Sequence, residues 1–185
     1  MEFKAEQIVN DKTDLIRQKS EKVQLPLSKE DKELALSLLK YVQDSQDEEI
    51  AKANNMRPAV GIAAIQLGIK KQLIAICIPY EDDEPEIFVL ANPRIVSHSL
   101  TQAYLKGGEG CLSVDEPHEG YVPRAARIKV RGYDCIAEEE VEIRAEEYPA
   151  IVLQHEIDHF KGILFYDHIN KENPWQEIPD AIVIE

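Results

Sequence analysis

The chain lacks the features that mark membrane proteins, secreted proteins and disulfide-stabilised proteins. Its longest apolar run, residues 73–78, is too short to span a bilayer. Residues 1–5 contain no apolar stretch of signal-peptide length. The cysteines are odd in number and show no paired spacing, which favours reduced thiols; they are Cys77, Cys111 and Cys135. These absences predict a cytoplasmic protein.

An excess of positive charge is also missing. The sequence has 21 Lys and Arg against 35 Asp and Glu, which gives a formal net charge of −14 at pH 7. A surface this acidic repels phosphate backbones and anionic lipid, so the predicted partners include neither nucleic acid nor membrane. The acidic runs at 47–49, 81–84 and 138–140 are interpreted as solvated surface.

What is present is the composition of a folded domain. Of the 185 residues, 44% are hydrophobic and 30% are charged, which is typical of a protein with its own core. No internal repeat or low-complexity linker divides the chain. We therefore predict one domain over residues 1–185.

Helical signals occur at two places. Residues 28–46 are predicted as a helix, because Ser28 can cap it, with Asp31 three residues later, and apolar residues follow at helical spacing. A second helix is predicted over 149–161, with Gly162 as its stop.

Strand signals occupy the middle of the chain and its tail. Apolar runs, alternation and turn residues predict strands at 71–78, 87–91, 94–99, 128–130, 141–145 and 181–184. The run at 128–130 has the right spacing to pair with the run at 141–145. Helices and strands in this order predict an α+β fold.

The second helix carries an H-E-x-x-H pattern at His155, Glu156 and His159. Residues four apart lie on one helical face, so both imidazoles can bind one metal ion. Glu156 then lies beside the ion, where it can take a proton from a bound water. The alternative is an amphipathic helix with two structural histidines, but burying these groups without partners costs free energy.

The third ligand stays open on spacing alone. Hydrolytic sites of this kind use three protein ligands plus water. Glu172 and Glu177 lie in a segment that is interrupted by prolines, which makes them poor candidates. The remaining candidates are His98, His118, His168 and the three cysteines.

Three short strings together resemble the signatures of one enzyme family. They are A-V-G-I-A-A-I-Q at 59–66, E-G-C-L-S at 109–113 and the H-E-x-x-H helix, and they occur in the order seen in peptide deformylases. The length, an extra loop around 80–87 and the strand-like tail resemble the Gram-positive (type 2) branch. The resemblance implies mixed and antiparallel sheets around a central C-terminal helix that carries the metal ligands.

The resemblance also implies a site. It assigns one divalent metal ion per chain to Cys111, His155 and His159, with Fe²⁺ expected and Zn²⁺, Ni²⁺ or Co²⁺ as alternatives. Glu156 is the expected general acid/base for attack by a metal-bound water. Gln66 and the Leu112 N–H are the expected donors to the oxyanion. The expected substrate-binding residues are Gly61, Ile62, Glu109, Tyr148, Ile151 and Val152.

The implied reaction is removal of the N-formyl group from the formylmethionine of newly synthesised polypeptides, releasing formate. The expected partners are N-formylmethionyl nascent peptides, with the ribosome near the peptide exit as a second candidate. Two other functions are weighed against this one: an H-E-x-x-H zinc peptidase, and a non-catalytic metal-binding relative. Residues 1–20 lack the family's N-terminal pattern and receive no predicted role.

Overall fold

Eight strands and three α-helices make up the fold in the computed structural model, which describes residues 1–185. The helices are α1 (Lys29–Gln46), α2 (Glu48–Ala53) and α3 (Glu147–Asp158). The strands are β1 (Gly61–Ala63), β2 (Leu73–Ile78), β3 (Glu86–His98), β4 (Gln102–Leu105), β5 (Arg124–Ala125), β6 (Arg127–Asp134), β7 (Glu139–Glu146) and β8 (Ile182–Ile184).

Two sheets enclose α3. The larger one is antiparallel with strand order β1-β2-β3-β6-β7, and the smaller one has order β5-β4-β8. In the smaller sheet β4 pairs antiparallel with β5 and parallel with β8. Helix α3 packs against strands of both sheets. The predicted α+β fold, with mixed and antiparallel sheets around the C-terminal helix, is confirmed.

The core lies on both faces of β2. Ile74, Ile76 and Ile78 belong to the cluster that contains the α3 residues, whereas Leu73 and Cys77 belong to the cluster under α1. Side chains alternate between the two faces of a strand, so a continuous apolar run indicates a strand buried on both sides. This arrangement places α3, and therefore the H-E-x-x-H pattern, inside the molecule.

Several predicted elements are confirmed, and their bounds differ by a few residues. Ser28 caps α1 by accepting a hydrogen bond from the Asp31 N–H. The β6–β7 ladder pairs Val130 with Ile143, as the alternation predicted. Helix α3 begins two residues earlier than predicted, and a short 3₁₀ turn over His159–Lys161 extends it to Gly162.

The prediction of two separate strands around Asn92-Pro93 was wrong. β3 runs through this dipeptide as one strand, with a register shift between Ala91 and Arg94 that marks a bulge. A bulge lets a strand pass a proline, which has no N–H for the ladder. Asn92 adopts φ 51°, and its side-chain amide bonds both the N–H and the carbonyl of Val23. No helix in the fold has the length and hydropathy needed to cross a membrane.

Candidate active site

Three potential metal ligands converge at one end of α3. His155 lies on the last turn of α3, His159 begins the 3₁₀ turn that follows it, and Cys111 comes from the loop between β4 and β5. Their ligand atoms all lie within 4.8 Å of one another. The Cys111 Sγ is 3.6 Å from the His159 Nε2. A tetrahedral metal with ordinary bond lengths spaces such donors by about 3.3–3.6 Å.

The residues around this cluster fit a divalent metal ion. One sulfur and two imidazole nitrogens form a donor set that suits Fe²⁺ or Zn²⁺. Glu156 directly follows His155, and its Oε2 is buried and has no hydrogen-bond partner in the protein. Buried polar atoms normally have partners, so this oxygen indicates room for a bound water beside the cluster.

Glu109 holds His155 in the orientation that metal binding needs. Its Oε2 is 2.8 Å from the His155 Nδ1, which leaves the Nε2 free for a metal. Arg124 donates two hydrogen bonds of 2.9 Å to the same carboxylate. Burial alone would raise the pKa of Glu109, but hydrogen bonds from Arg124 and His155 lower it to about 2.

Glu109 was expected to bind substrate, and the structure shows what its carboxylate contacts. It borders the cavity described below, but both carboxylate oxygens are occupied and the side chain is only 4% exposed. Its carboxylate therefore positions His155, and a contact of Glu109 with substrate stays a prediction.

A buried ion-pair network extends from Glu109 away from the cavity. Arg124 also donates to the Asp158 Oδ2 at 2.5 Å, and the His168 Nε2 lies 2.8 Å from the same oxygen. The Arg124 side chain is 3% exposed. Removing one member of such a network leaves a buried charge unpaired, which costs several kcal/mol, typically about 3–5.

The two histidines differ in electrostatic environment. Burial opposes the charge on His155, but hydrogen bonds to Cys111 and Glu109 outweigh it and raise its pKa well above the ordinary value. Burial, reinforced by the charge of His155, lowers the pKa of His159 to about 3. Metal ligands must be deprotonated, so metal binding has to release the proton of His155.

The Glu156 carboxylate is buried beside the ligand cluster. Burial raises its pKa to about 7, although the charges of His155 and Arg124 act in the opposite direction. A carboxylate poised near neutral pH suits a group that takes up and releases a proton. The backbone of Gly61 approaches it so closely that a Cβ there would lie 2.5 Å from its Oε1.

Gln66 and the turn after Cys111 form the opposite wall. The Gln66 Oε1 accepts from the Ala63 N–H, so its Nε2 points toward Cys111 Sγ at 3.4 Å and Ser113 Oγ at 3.3 Å. The carbonyl of Cys111 accepts from the Val114 N–H, which closes the turn. No backbone hydrogen bond outside helices and strands uses the Leu112 N–H as donor.

A cavity of about 710 Å³ opens onto this cluster. Tyr148, Ile151 and Val152, from the start of α3, form part of its apolar wall. His159 and Ile62 do not border it. The side chain of Ile62 is fully buried on the α1 side of the sheet. Only the backbone of Ile62 can therefore face a ligand.

The comparison with known proteins decides the family. A family model described as polypeptide deformylase matches residues 5–175. The chain belongs to the polypeptide deformylase family. A peptide deformylase 2 from Bacillus subtilis (strain 168) is 47% identical over 180 residues, which cover 97% of each chain. A peptide deformylase from Oceanobacillus iheyensis is 53% identical over 160 residues, which cover 85% of each chain.

Solved deformylase structures share the fold. A probable peptide deformylase from Synechococcus phage S-SSM7 has a TM-score of 0.72 at 31% identity, covering 88% of this chain and 98% of that one. The Thermus thermophilus peptide deformylase has a TM-score of 0.70 at 29% identity, covering 90% and 87%. The predicted resemblance to the Gram-positive branch of the deformylases is confirmed by the Bacillus and Oceanobacillus relatives.

Membership makes this deformylase an enzyme, a metal-dependent hydrolase that removes the N-formyl group from polypeptides. The structure brings the three predicted ligands together, and all the predicted metal and catalytic residues except His159 line the cavity. Two neighbours of this deformylase site were not predicted. Ser113 was available as the last letter of E-G-C-L-S, whereas Arg57, which donates to the carbonyls of Leu112 and Val114, belongs to no signature.

Proposed function

We propose that this chain hydrolyses the formyl amide of N-formylmethionyl polypeptides at the Cys111, His155 and His159 cluster. The observation that carries the proposal is a cluster of three metal donors beside a cavity that is also lined by the Glu156 carboxylate and the Gln66 amide. These are the groups that amide hydrolysis requires: an activated water, a proton carrier and a donor to the carbonyl oxygen.

The metal ion is proposed to be Fe²⁺ in the cell, with Zn²⁺, Ni²⁺ or Co²⁺ able to replace it. The Cys111 thiolate is a soft ligand and selects these ions over Mg²⁺. When bound, a divalent ion supplies positive charge that lowers the pKa of a coordinated water toward about 7.

Glu156 is proposed as the proton carrier. Its Oε2 is buried and has no partner in the protein, and its pKa of about 7 lets it accept a proton from water at neutral pH. The same carboxyl then delivers the proton to the amine that leaves the formyl carbon. One group can serve both steps because the proton that it takes from water in the first step is the proton that it gives to the nitrogen in the second.

Gln66 and Leu112 are proposed as the donors to the negative charge that develops on the formyl oxygen. The Gln66 Nε2 is aimed by the bond that its Oε1 accepts from Ala63. The Leu112 N–H is held by a closed turn and is free of a backbone acceptor. Donors fixed in advance in a dry site are worth about 3–4 kcal/mol each.

The substrate's methionine is proposed to occupy the apolar wall of Tyr148, Ile151 and Val152. Strand β1 is an edge of the large sheet, so the backbone of Gly61 and Ile62 can pair with an extended peptide. The proposed partners are nascent chains in the cytoplasm, with the ribosome near the peptide exit as a second partner.

Discrimination between acyl groups tests the function. We expect formyl-Met-Ala-Ser to release formate and acetyl-Met-Ala-Ser to be hydrolysed at less than about 1% of that rate, because the acetyl methyl must fit where formyl has only hydrogen. The measurement is product release by anaerobically purified protein. Equal rates on the two peptides, or cleavage of internal bonds in unblocked peptides, would favour the zinc peptidase instead.

Gly61→Ala tests whether the placement of Glu156 matters for turnover. The new Cβ would lie 2.9 Å from the Glu156 Cδ, so the carboxylate or β1 has to shift. Since a displacement of about 1 Å can cost about 10²-fold in rate, we expect kcat to fall by that order with one metal still bound. Gly107→Ala is the matched control, because nothing lies within 4 Å of its added Cβ. Equal kcat in the two variants would mean that Glu156 tolerates displacement.

A further inference from the structure

The N-terminal segment 9–17 has no role predicted from the sequence, yet it contacts three separate segments of the site. We call these residues the N-terminal strap. None of its residues borders the cavity. Its effect on the site must therefore pass through the residues that it contacts.

The strap bonds to both segments that carry the proposed oxyanion donors. The Val9 N–H donates to the carbonyl of Gln66 at 2.7 Å, and the Asp11 N–H donates to the carbonyl of Ser113 at 2.8 Å. Gln66 carries one donor and Ser113 follows Leu112, which carries the other. Val9 and Asp11 thus link the two donor segments, although Gln66 and Leu112 lie 46 residues apart in the sequence.

Asn10, between these two positions, adds a side-chain bond. Its Nδ2 donates to the Asp115 Oδ2 at 2.5 Å, and its Oδ1 accepts from the Lys12 N–H at 2.8 Å. Asp115 also lies 3.6 Å from Arg57, which donates to the Leu112 carbonyl. Through Asp115, Asn10 therefore connects the strap to Arg57, which bonds the Leu112 turn.

The far end of the strap bonds to the chain that follows α3. Arg17 donates to the carbonyl of Gly162 at 3.1 Å and pairs with Asp167 at 2.5 Å. The Tyr166 hydroxyl donates to the Asp11 Oδ2 at 3.0 Å. The strap is thereby anchored to the segment that continues directly from the His159 turn.

We infer that the N-terminal strap is a positioning element that fixes the Gln66 amide and the Leu112 N–H relative to each other and to α3. The inference rests on the proposed function of these two donors. The direct bonds between their segments are two long contacts from the Gln66 Nε2, at 3.3 Å to the Ser113 Oγ and at 3.4 Å to the Cys111 Sγ. A substrate oxygen that takes the Gln66 Nε2 as its donor competes with these contacts, so the strap bonds keep the segments in place during the reaction.

An exchange of Asn10 and Asp115 tests the strap. Asn10→Asp places two carboxylates against each other, and Asp115→Asn places two amides there. We expect Asn10→Asp to lower kcat by about 10-fold or more while KM stays within about twofold, because the donors act on charge that develops in the transition state. The double variant Asn10→Asp/Asp115→Asn restores an amide facing a carboxylate and should recover most of the lost kcat.

Two further variants complete the test. Asn10→Ala removes the amide without adding charge and should lower kcat in the same direction, which covers the case in which Asn10→Asp does not fold. Lys12→Ala is the matched control, since its side chain forms only an exposed pair with Glu116 at 3.6 Å, and it should keep the wild-type kcat.

The outcomes separate the strap from the proposed function. If Asn10→Asp and Asn10→Ala only lower the melting temperature and retain wild-type kcat, or if the double variant does not recover, the strap is merely structural and the inference fails. Gln66→Leu is measured alongside and should lose about 10²–10³-fold in kcat. If Gln66→Leu is as active as wild type, the proposed oxyanion site itself is wrong.

Discussion

Cys111→Ala is expected to abolish stoichiometric metal binding and, with it, hydrolysis of formylated peptides. Two histidines on one helix would remain, one ligand short of the usual three. Changes in the groups that merely surround a metal cost 10–100-fold in affinity, so loss of a direct thiolate ligand should cost more than about 100-fold. The measurement is metal content per chain after anaerobic purification, together with formate release.

Cys77 and Cys135 provide the controls for Cys111. Cys77 lies in the core on β2. Cys135 is fully buried, and burial raises the pKa of its thiol to about 12, so it stays protonated and is a poor ligand. The folded fraction of Cys77→Ala and of Cys135→Ala should therefore keep one metal per chain. Full metal occupancy in Cys111→Ala would contradict the ligand assignment.

The metal-binding helix could be predicted from the sequence because its pattern is local. His155 and His159 are four residues apart, and helical periodicity alone puts them on one face. Cys111 lies 44 residues upstream of His155. Spacing left it among several candidates, and only the resemblance to the family selected it. The same reasoning applies to the fold: α1, β2 and the β6–β7 ladder follow from periodicity and alternation within short windows.

The sequence could not predict which side chains share hydrogen bonds across the fold. Glu109 was expected in the substrate pocket from the resemblance to the family alone, and its ion pair with Arg124, 15 residues later on β5, was not predicted. β3 was divided at Pro93 because the bulge that accommodates the proline depends on its pairing with β6. The strap was missed for the same reason, since its bonds to Gln66 and Ser113 use backbone atoms that every sequence has.

Glu156→Gln should keep the metal and lose nearly all turnover. The amide has almost the volume of the carboxylate, so the ligand cluster on the same helix should be undisturbed. It cannot accept a proton from water, and general acid–base groups typically contribute about 10²–10⁴-fold, here through two proton transfers. We expect kcat to fall toward the upper end of that range, measured as formate release by protein with one metal per chain.

The stability of the metal-free variant provides an independent check on the same residue. The pKa of Glu156 is raised from 4.5 to about 7 in the folded protein, so ionising the carboxyl opposes folding. This penalty is absent below about pH 4.5, grows as the pH rises and is complete above about pH 7. Glu156→Gln removes this penalty. The unfolding free energy of the metal-free variant, relative to that of the metal-free wild type, should therefore rise between these pH values and then level off. Glu156 is excluded as the proton carrier if the metal-free variant shows this stability profile while the variant with one metal per chain still turns over at the wild-type rate.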